Sequence, residues 1–273
     1  MQFDRRHILI TGASGGIGSA LAHALAAEKA SLLLHGRNAQ ALTTLADECR
    51  QLGAGNVQTC IADLTTAEGR GALVSHVQRD FLRLDTLINN AGVSRFQLFN
   101  QQTPEQIEQL LASNINAPVL LTHALITPLL ETQGEPPVIL NIGSAFGAIG
   151  FPGYSTYCAS KGALRLFTEA LAREYSDTPL RVQYLAPRAT RTSINSDRAN
   201  AMTAATGSSI DSPECVAQAA LQLLRSGHAQ AAIGWPEKLL VRLNGLRPEL
   251  ISRVLRKQLA KIKTFANQPD TGA

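Results

Sequence analysis

The chain has 273 residues, of which 45% are hydrophobic, 17% charged and 5% aromatic. This ordinary globular composition excludes disordered, collagen-like and disulfide-scaffold classes, and the length admits one α/β domain with a sizeable core. Basic residues number 25 and acidic residues 21, yet 8 of the basic and 3 of the acidic ones fall after residue 236, leaving 17 against 18 in residues 1–236. The net charge of +4 therefore belongs to the last 37 residues. The body offers no positive field for nucleic acid, which is excluded as a partner.

Short apolar runs predict strands at 7–10, 31–35, 56–61, 86–89, 138–142, 181–185 and 231–233. Ala- and Leu-rich segments predict helices at 17–28, 39–52, 67–83, 104–132, 155–175 and 213–225. Alternation of β and α elements implies a parallel sheet with helices on both faces. Arg5 and Arg6 before Ile8-Leu9-Ile10 mimic a signal peptide, but Gly12, Gly15, Gly16 and Gly18 interrupt that run. The uncharged stretches 109–130 and 136–160 carry Asn, Ser, Pro and Gly and read as the buried middle of a soluble domain, not as membrane spans. Cys49, Cys60, Cys158 and Cys215 are far apart, and the six histidines form no H-x-x-x-H pair. A reduced, cytoplasmic chain without a metal is expected.

The segment Thr11-Gly12-Ala13-Ser14-Gly15-Gly16-Ile17-Gly18 joins the first strand to the first helix. Glycines there let the backbone approach a pyrophosphate, and the helix N-terminus offers free N–H groups to it. The second strand runs into His35-Gly36-Arg37, with no carboxylate for the ribose hydroxyls of NAD. Arg37, helped by the Ser14 hydroxyl, can hold a 2′-phosphate, so NADP(H) is expected over NAD(H).

Tyr157 and Lys161 stand four apart on the helix predicted over 155–175 and share one face. A free tyrosine is a poor acid–base catalyst near neutrality, and a neighbouring ammonium is expected to lower its pKa. Ser144 follows the strand at 138–142, where its hydroxyl can hold a carbonyl oxygen. Asn114 falls inside a helix, a poor place for Asn unless its amide is used.

The stretch 188–212 lacks periodicity and is expected to be a lid or binding loop. Beyond residue 236, Pro248 and Glu249 open a helix with Leu250, Ile251, Val254, Leu255, Leu259 and Ile262 at helical spacing and Arg253, Arg256, Lys257, Lys261 and Lys263 between them. Residues 237–273 are expected to form a basic amphipathic extension to a domain at 1–236. Its apolar face either packs on the domain or a sister subunit, lies peripherally on the inner face of a membrane, or meets an acidic acyl carrier.

Taken together, Thr11–Gly18, Asp63-Leu64, Asn89-Asn90-Ala91-Gly92, Asn114, Ser144, Tyr157-x-x-x-Lys161 and Pro187…Thr192 resemble a classical short-chain dehydrogenase/reductase of the NADP-preferring type. The resemblance spans residues 7–236. It implies a doubly wound Rossmann fold with a seven-stranded parallel sheet flanked by helices, to which the amphipathic extension is added, and a homo-oligomer, dimeric or tetrameric. It implies Tyr157 as proton donor in reduction and base in oxidation, with Lys161 lowering its pKa and binding the nicotinamide ribose. Ser144 then polarises the carbonyl and Asn114 holds a relay water. Gly12, Ser14, Gly15, Gly16, Ile17 and Gly18 surround the diphosphate, Asp63 and Leu64 the adenine, and Asn90, Ala91 and Gly92 the adenosine ribose, while Asn90 also steadies the sheet. Pro187, Thr190 and Thr192 flank the nicotinamide.

One departure is Arg188, where the family usually has glycine; it either meets an anion of substrate or cofactor or points to solvent. The expected activity is NADPH-dependent reduction of a ketone or aldehyde, or the reverse alcohol oxidation, on an apolar acyl or lipid-like small molecule. A 3-oxoacyl-thioester reductase and a non-catalytic NADP-binding regulator are the alternatives.

Overall fold

A computed structural model describes residues 2–4, 6–81, 83–207, 209–235 and 237–268. Arg5, Pro236 and residues 269–273, which the sequence reading touched, lie outside the described residues, and no side chain is described for Glu237 or Lys238.

The strands are β1 (His7–Ile10), β2 (Ser31–Gly36), β3 (Val57–Ile61), β4 (Thr86–Asn89), β5 (Val138–Ile142), β6 (Arg181–Ala186) and β7 (Gln230–Ala232). They form one seven-stranded sheet in the order β3-β2-β1-β4-β5-β6-β7, parallel at every pairing. The helices are α1 (Gly16–Ala27), α2 (Ala39–Gln51), α3 (Ala67–His76), α4 (Pro104–Leu111), α5 (Ala117–Leu130), α6 (Ser155–Glu174), α7 (Asp197–Ala205), α8 (Pro213–Ser226), α9 (Glu237–Leu246) and α10 (Pro248–Ala266).

Strand alternation splits the core into two layers. Ile8, Ile10, Leu32, Leu34, Leu140 and Leu185 face Leu21 and Leu25 of α1 and Val216, Leu221 and Leu224 of α8. Their neighbours Leu9, Leu33, Leu87, Ile139 and Val182 face Leu73 of α3, Leu121, Leu125 and Leu129 of α5 and Leu171 of α6. Each fully buried Leu or Ile stabilises the fold by about 1.5–3 kcal/mol, and both faces of the sheet use them. Helix 104–130 is long and apolar enough to cross a membrane, but its Leu121, Leu125 and Leu129 are spent on this second layer.

Two buried asparagines tie the central strands to the helices of the second layer. Asn89 donates to Thr122 Oγ1 at 3.1 Å and Asn141 Oδ1 at 2.9 Å, and Asn141 donates to Thr168 Oγ1 at 2.8 Å. Asn89 thus steadies the sheet from within, while its neighbour Asn90 joins the carboxyl end of β4 to that of its neighbour β1 by bonding Thr11 and Gly12.

The stretch 188–212, expected to be irregular, contains α7. Ser196 caps it by accepting from the Ala199 N–H, and Asp197 sits in its first turn. Ala199 and Met202 are buried beside Ile262 and Ala266 of α10. A nine-residue helix with so short an apolar face takes its stability from this packing rather than from propensity.

Candidate active site

The strand order reverses between β1 and β4, and the carboxyl ends of strands at such a point leave a crevice. A cavity of about 980 Å3 opens there. One wall is the phosphate-type turn. Gly12 has φ +63°, and a Cβ on it would stand 2.8 Å from the Ala91 Cα, so only glycine fits. Thr11 Oγ1 accepts from the N–H groups of Asn90 and Ala91, both at 3.0 Å, and Asn90 Nδ2 donates to the carbonyls of Thr11 (3.0 Å) and Gly12 (3.1 Å). The N-cap of α1, Gly15, has no side chain to cap the helix. Its N-terminal N–H groups therefore face the cavity as an anion cradle.

His35 is a residue that the sequence reading passed over. Its Nδ1 accepts from the Gly12 N–H at 3.5 Å and its Nε2 lies 3.1 Å from the Ala62 carbonyl, so it stitches the turn to the end of β3. Burial pushes its pKa down to about 4, which leaves it neutral. An apolar-flanked histidine carries no signature of such a role in sequence.

Arg37, exposed at the end of β2, lines the cavity with Ser14 and Asp63. The Asp63 carboxyl is held below its usual range, first by hydrogen bonds from the Thr65 backbone and hydroxyl. Leu64, Asn90, Ala91, Gly92, Pro187, Thr190 and Thr192 line the same cavity as Gly12, Ser14, Gly15, Gly16, Ile17 and Gly18. These residues fit a dinucleotide: an uncapped helix end for phosphates, a glycine that admits close approach, and a long cleft between two loops.

At the far end the cavity is lined by Ser144, Tyr157 and Lys161. Ser144 ends the strand-like run after β5; its Oγ accepts from the Phe146 N–H at 3.1 Å, and its hydroxyl acts on the neighbouring Tyr157 phenol to draw that pKa down. Lys161 is buried, donates to the Ile142 carbonyl at 3.0 Å and lies 5.9 Å from the Tyr157 ring centre. Burial lowers its pKa to about 8. The expected lowering of the Tyr157 pKa is not what this chain alone produces. Desolvation pushes the phenol well up, Tyr184 and Cys158 add to the rise, and only the Ser144 hydrogen bond opposes it.

Asn114, grouped with these three on sequence, does not line the cavity. It sits behind the wall in a π-turn, Ala112–Asn116, that links α4 to α5. Its Oδ1 accepts from the Val93 N–H at 2.8 Å, and its Nδ2 donates to the Val93 carbonyl at 2.9 Å and Ser160 Oγ at 3.1 Å. The π-turn turns this amide inward, a common use of the extra residue.

Arg188 does not point to solvent: on the wall of the cavity, the Asp211 carboxylate holds it at 2.9 and 2.7 Å and the Trp235 carbonyl accepts from it at 3.1 Å. Asp211 in turn bridges to Thr190 and bonds the Arg191 and Ala189 backbone. The charge that replaces glycine fastens the two ends of the lid.

The lid and tail complete the enclosure. Met202 of α7, Leu240 of α9 and Ile251, Val254 and Leu255 of α10 line the cavity with Phe146, Ile149, Phe151 and Tyr154. Phe146 and Phe151 stack at 4.9 Å, and Phe146 stands edge-on to Tyr157 at 6.5 Å. Asn244 of α9 donates to the Ala148 carbonyl at 2.9 Å, and Arg198 and Lys261 bond α7 to α10. Of the three placements of the tail's apolar face, packing on the body accounts for Ile251, Ile262 and Ala266. The periodicity of the tail was legible, but its position over the cavity was not.

Residues 6–203 match the short chain dehydrogenase family. The chain belongs to this family. It is an NAD(P)-dependent short-chain oxidoreductase. Nodulation protein G of Rhizobium sp. (strain N33) is 36% identical over 182 residues, 67% of this chain and 72% of that protein. A short-chain dehydrogenase from Sphingobium yanoikuyae, in complex with NADPH, is 28% identical with a TM-score of 0.77 over 98% of both chains. A short-chain dehydrogenase/reductase from Burkholderia phymatum, in complex with NAD, has a TM-score of 0.83 at 22% identity, covering 92% of this chain and 96% of its own, a likeness of fold. A nicotinamide dinucleotide is the cofactor class of this short-chain dehydrogenase fold.

Proposed function

We propose that this chain is an NADPH-dependent reductase of ketones or aldehydes with bulky apolar substituents, working as a homo-oligomer in the cytoplasm. The observation that carries the reading is the meeting of Ser144, Tyr157 and Lys161 with an apolar enclosure in one cavity. A bound dinucleotide supplies the hydride. Tyr157 supplies the proton: burial keeps the phenol protonated, the state that a reduction requires at the start. Ser144 holds the carbonyl oxygen and shares its hydroxyl hydrogen bond with Tyr157 as charge develops there. Lys161 is a cation below about pH 8 and holds the ribose of the cofactor. Asn114 is a positioning residue that fixes Val93 and Ser160 around them. Arg37 and Ser14 take the 2′-phosphate, and the absence of a carboxylate at position 36 leaves NADPH unopposed.

Phe146, Phe151, Tyr154, Met202 and the α9–α10 side chains favour an apolar substrate body over a small polar one. The test is NADPH oxidation against carbonyls graded by size and chain length, free and as thioesters. A rise in kcat/KM with apolar bulk supports the reading, a preference for thioesters moves it to a 3-oxoacyl reductase, and NADPH binding without turnover on any of them makes the chain a cofactor-binding regulator.

A second reading concerns the tail. Trp235 (68% exposed), Leu239, Leu246 (79% exposed), Leu250 and Val254 are large, apolar and open to solvent. Arg242, Arg247, Arg253, Arg256 and Lys257 lie among them. This combination suits an anionic lipid surface, from which an apolar substrate would enter past Val254. Sedimentation with anionic but not neutral vesicles, lost in a Leu246→Glu/Leu250→Glu variant, supports it. Equal partition of both proteins rejects it.

A further inference from the structure

Tyr184, on β6, enters the site described above only through the rise it adds to the Tyr157 pKa. It is 4% exposed, and its ring passes directly beneath Gly143: a Cβ at that glycine would stand 2.0 Å from the Tyr184 Cζ and 2.1 Å from its Oη. Gly143 immediately precedes Ser144. The Tyr184 Oη accepts from the Ser144 N–H at 3.2 Å and lies 3.3 Å from the Ser144 carbonyl and 3.4 Å from the Lys161 carbonyl, the two acceptors for its proton. A phenol has one proton and two lone pairs, and here both kinds of valence are spent on the backbone of the two segments that carry the site. Burial pushes this phenol up to about 12, so it remains a neutral donor.

Ser144 and Lys161 come from different elements, the end of β5 and the middle of α6, and Tyr157 lies one turn before Lys161. Nothing in the chain sequence fixes the distance between them. A buried Tyr used only as filler could be Phe, which costs no buried hydroxyl. We propose that Tyr184 is a positioning residue, whose hydroxyl fastens the backbone of Ser144 to that of Lys161 and so holds the Ser144 hydroxyl at the Tyr157 phenol. The proposal rests on the reading that Ser144, Tyr157 and Lys161 act together. Displacements of about 1 Å in such a group can cost on the order of a hundredfold in rate.

The test is Tyr184→Phe, which keeps the ring under Gly143 and removes only the hydroxyl. The phenolate of Tyr157 is titrated by its ultraviolet absorbance in the NADP+ complex, as the difference from the matching Tyr157→Phe protein, and turnover is measured on the best carbonyl. The expected results are a kcat about tenfold lower and a Tyr157 titration moved upward by about half a unit or more, because the weakened influence of Ser144 outweighs the loss of the smaller rise that the Tyr184 phenol itself adds. NADPH binding and melting temperature stay close to those of the wild type. A Tyr157 titration that superimposes on the wild type overturns the proposal. So does parallel loss of NADPH binding and melting temperature, which marks a general scaffold role. The titration is read without a substrate, so an enzyme inactive on every carbonyl counts against the proposed function and leaves this outcome legible.

Discussion

The Arg188 guanidinium grips the Asp211 carboxylate through two hydrogen bonds of 2.9 and 2.7 Å at opposite ends of the lid. Their side chains are 16% and 10% exposed. A pair this sheltered is costly to break from one side, because the partner is left charged in a poorly solvated place. Asp211→Ala is expected to lower stability by about 3 kcal/mol in denaturant unfolding. The Arg188→Ala/Asp211→Ala protein should be less damaged than the sum of its parts, with a coupling of about 1–3 kcal/mol. Additive losses would mean that the two residues act separately.

Cofactor choice should turn on Arg37. It lines the cavity with Ser14, and no acidic residue stands at position 36 to oppose a phosphate. Charge-assisted hydrogen bonds contribute about 1.5–3 kcal/mol each. Arg37→Asp removes them and adds a like charge, so the KM for NADPH should rise at least tenfold while that for NADH changes little. Titration of both cofactors against the same substrate decides it; equal changes would place Arg37 away from the 2′-phosphate.

How much of this was legible in the sequence depended on whether a residue acts through its own neighbours in the chain. The strands and the turn at Gly12 were readable because local pattern dictates them: short runs of three to six residues rich in apolar side chains, and glycines where a strand meets a helix. The pairing of Tyr157 with Lys161 was readable for the same reason, since four residues on a helix fix a face. His35, Tyr184 and the Arg188–Asp211 pair were not readable in this way. Each joins segments at least 23 residues apart, and that juxtaposition comes from the strand order. The placement of α9 and α10 over the cavity belongs to the same class. An amphipathic pattern says that one face is covered without saying by what.

Removal of the Tyr157 hydroxyl, the proposed proton donor, gives the sharpest kinetic result. The Tyr157 ring is set by α6 and by its edge contact with Phe146, neither of which needs the hydroxyl. Tyr157→Phe should therefore bind NADPH nearly as tightly as the wild type and lose on the order of 100- to 10,000-fold in kcat. Fluorescence titration of the cofactor and single-turnover rates separate the two quantities. A variant that keeps more than a tenth of the rate would remove Tyr157 from the role of proton donor.

The last expectation concerns acid. His35 is 3% exposed, and burial takes its pKa from 6.5 in the unfolded chain to about 4 in the folded one. Between those values the unfolded chain binds more protons than the native one, so stability rises with pH across the window. The contribution is fully present above pH 6.5 and is lost as the pH falls toward 4, by up to about 3 kcal/mol. Its loss should loosen the phosphate-type turn first, because the proton enters at Nδ1, the atom that accepts from the Gly12 N–H. NADPH affinity is then expected to fall along with stability below pH 6. His35→Asn cannot titrate in this range, so its unfolding free energy should be flatter between pH 6.5 and 4 than that of the wild type. Two parallel curves would assign the acid sensitivity of the fold to groups other than His35.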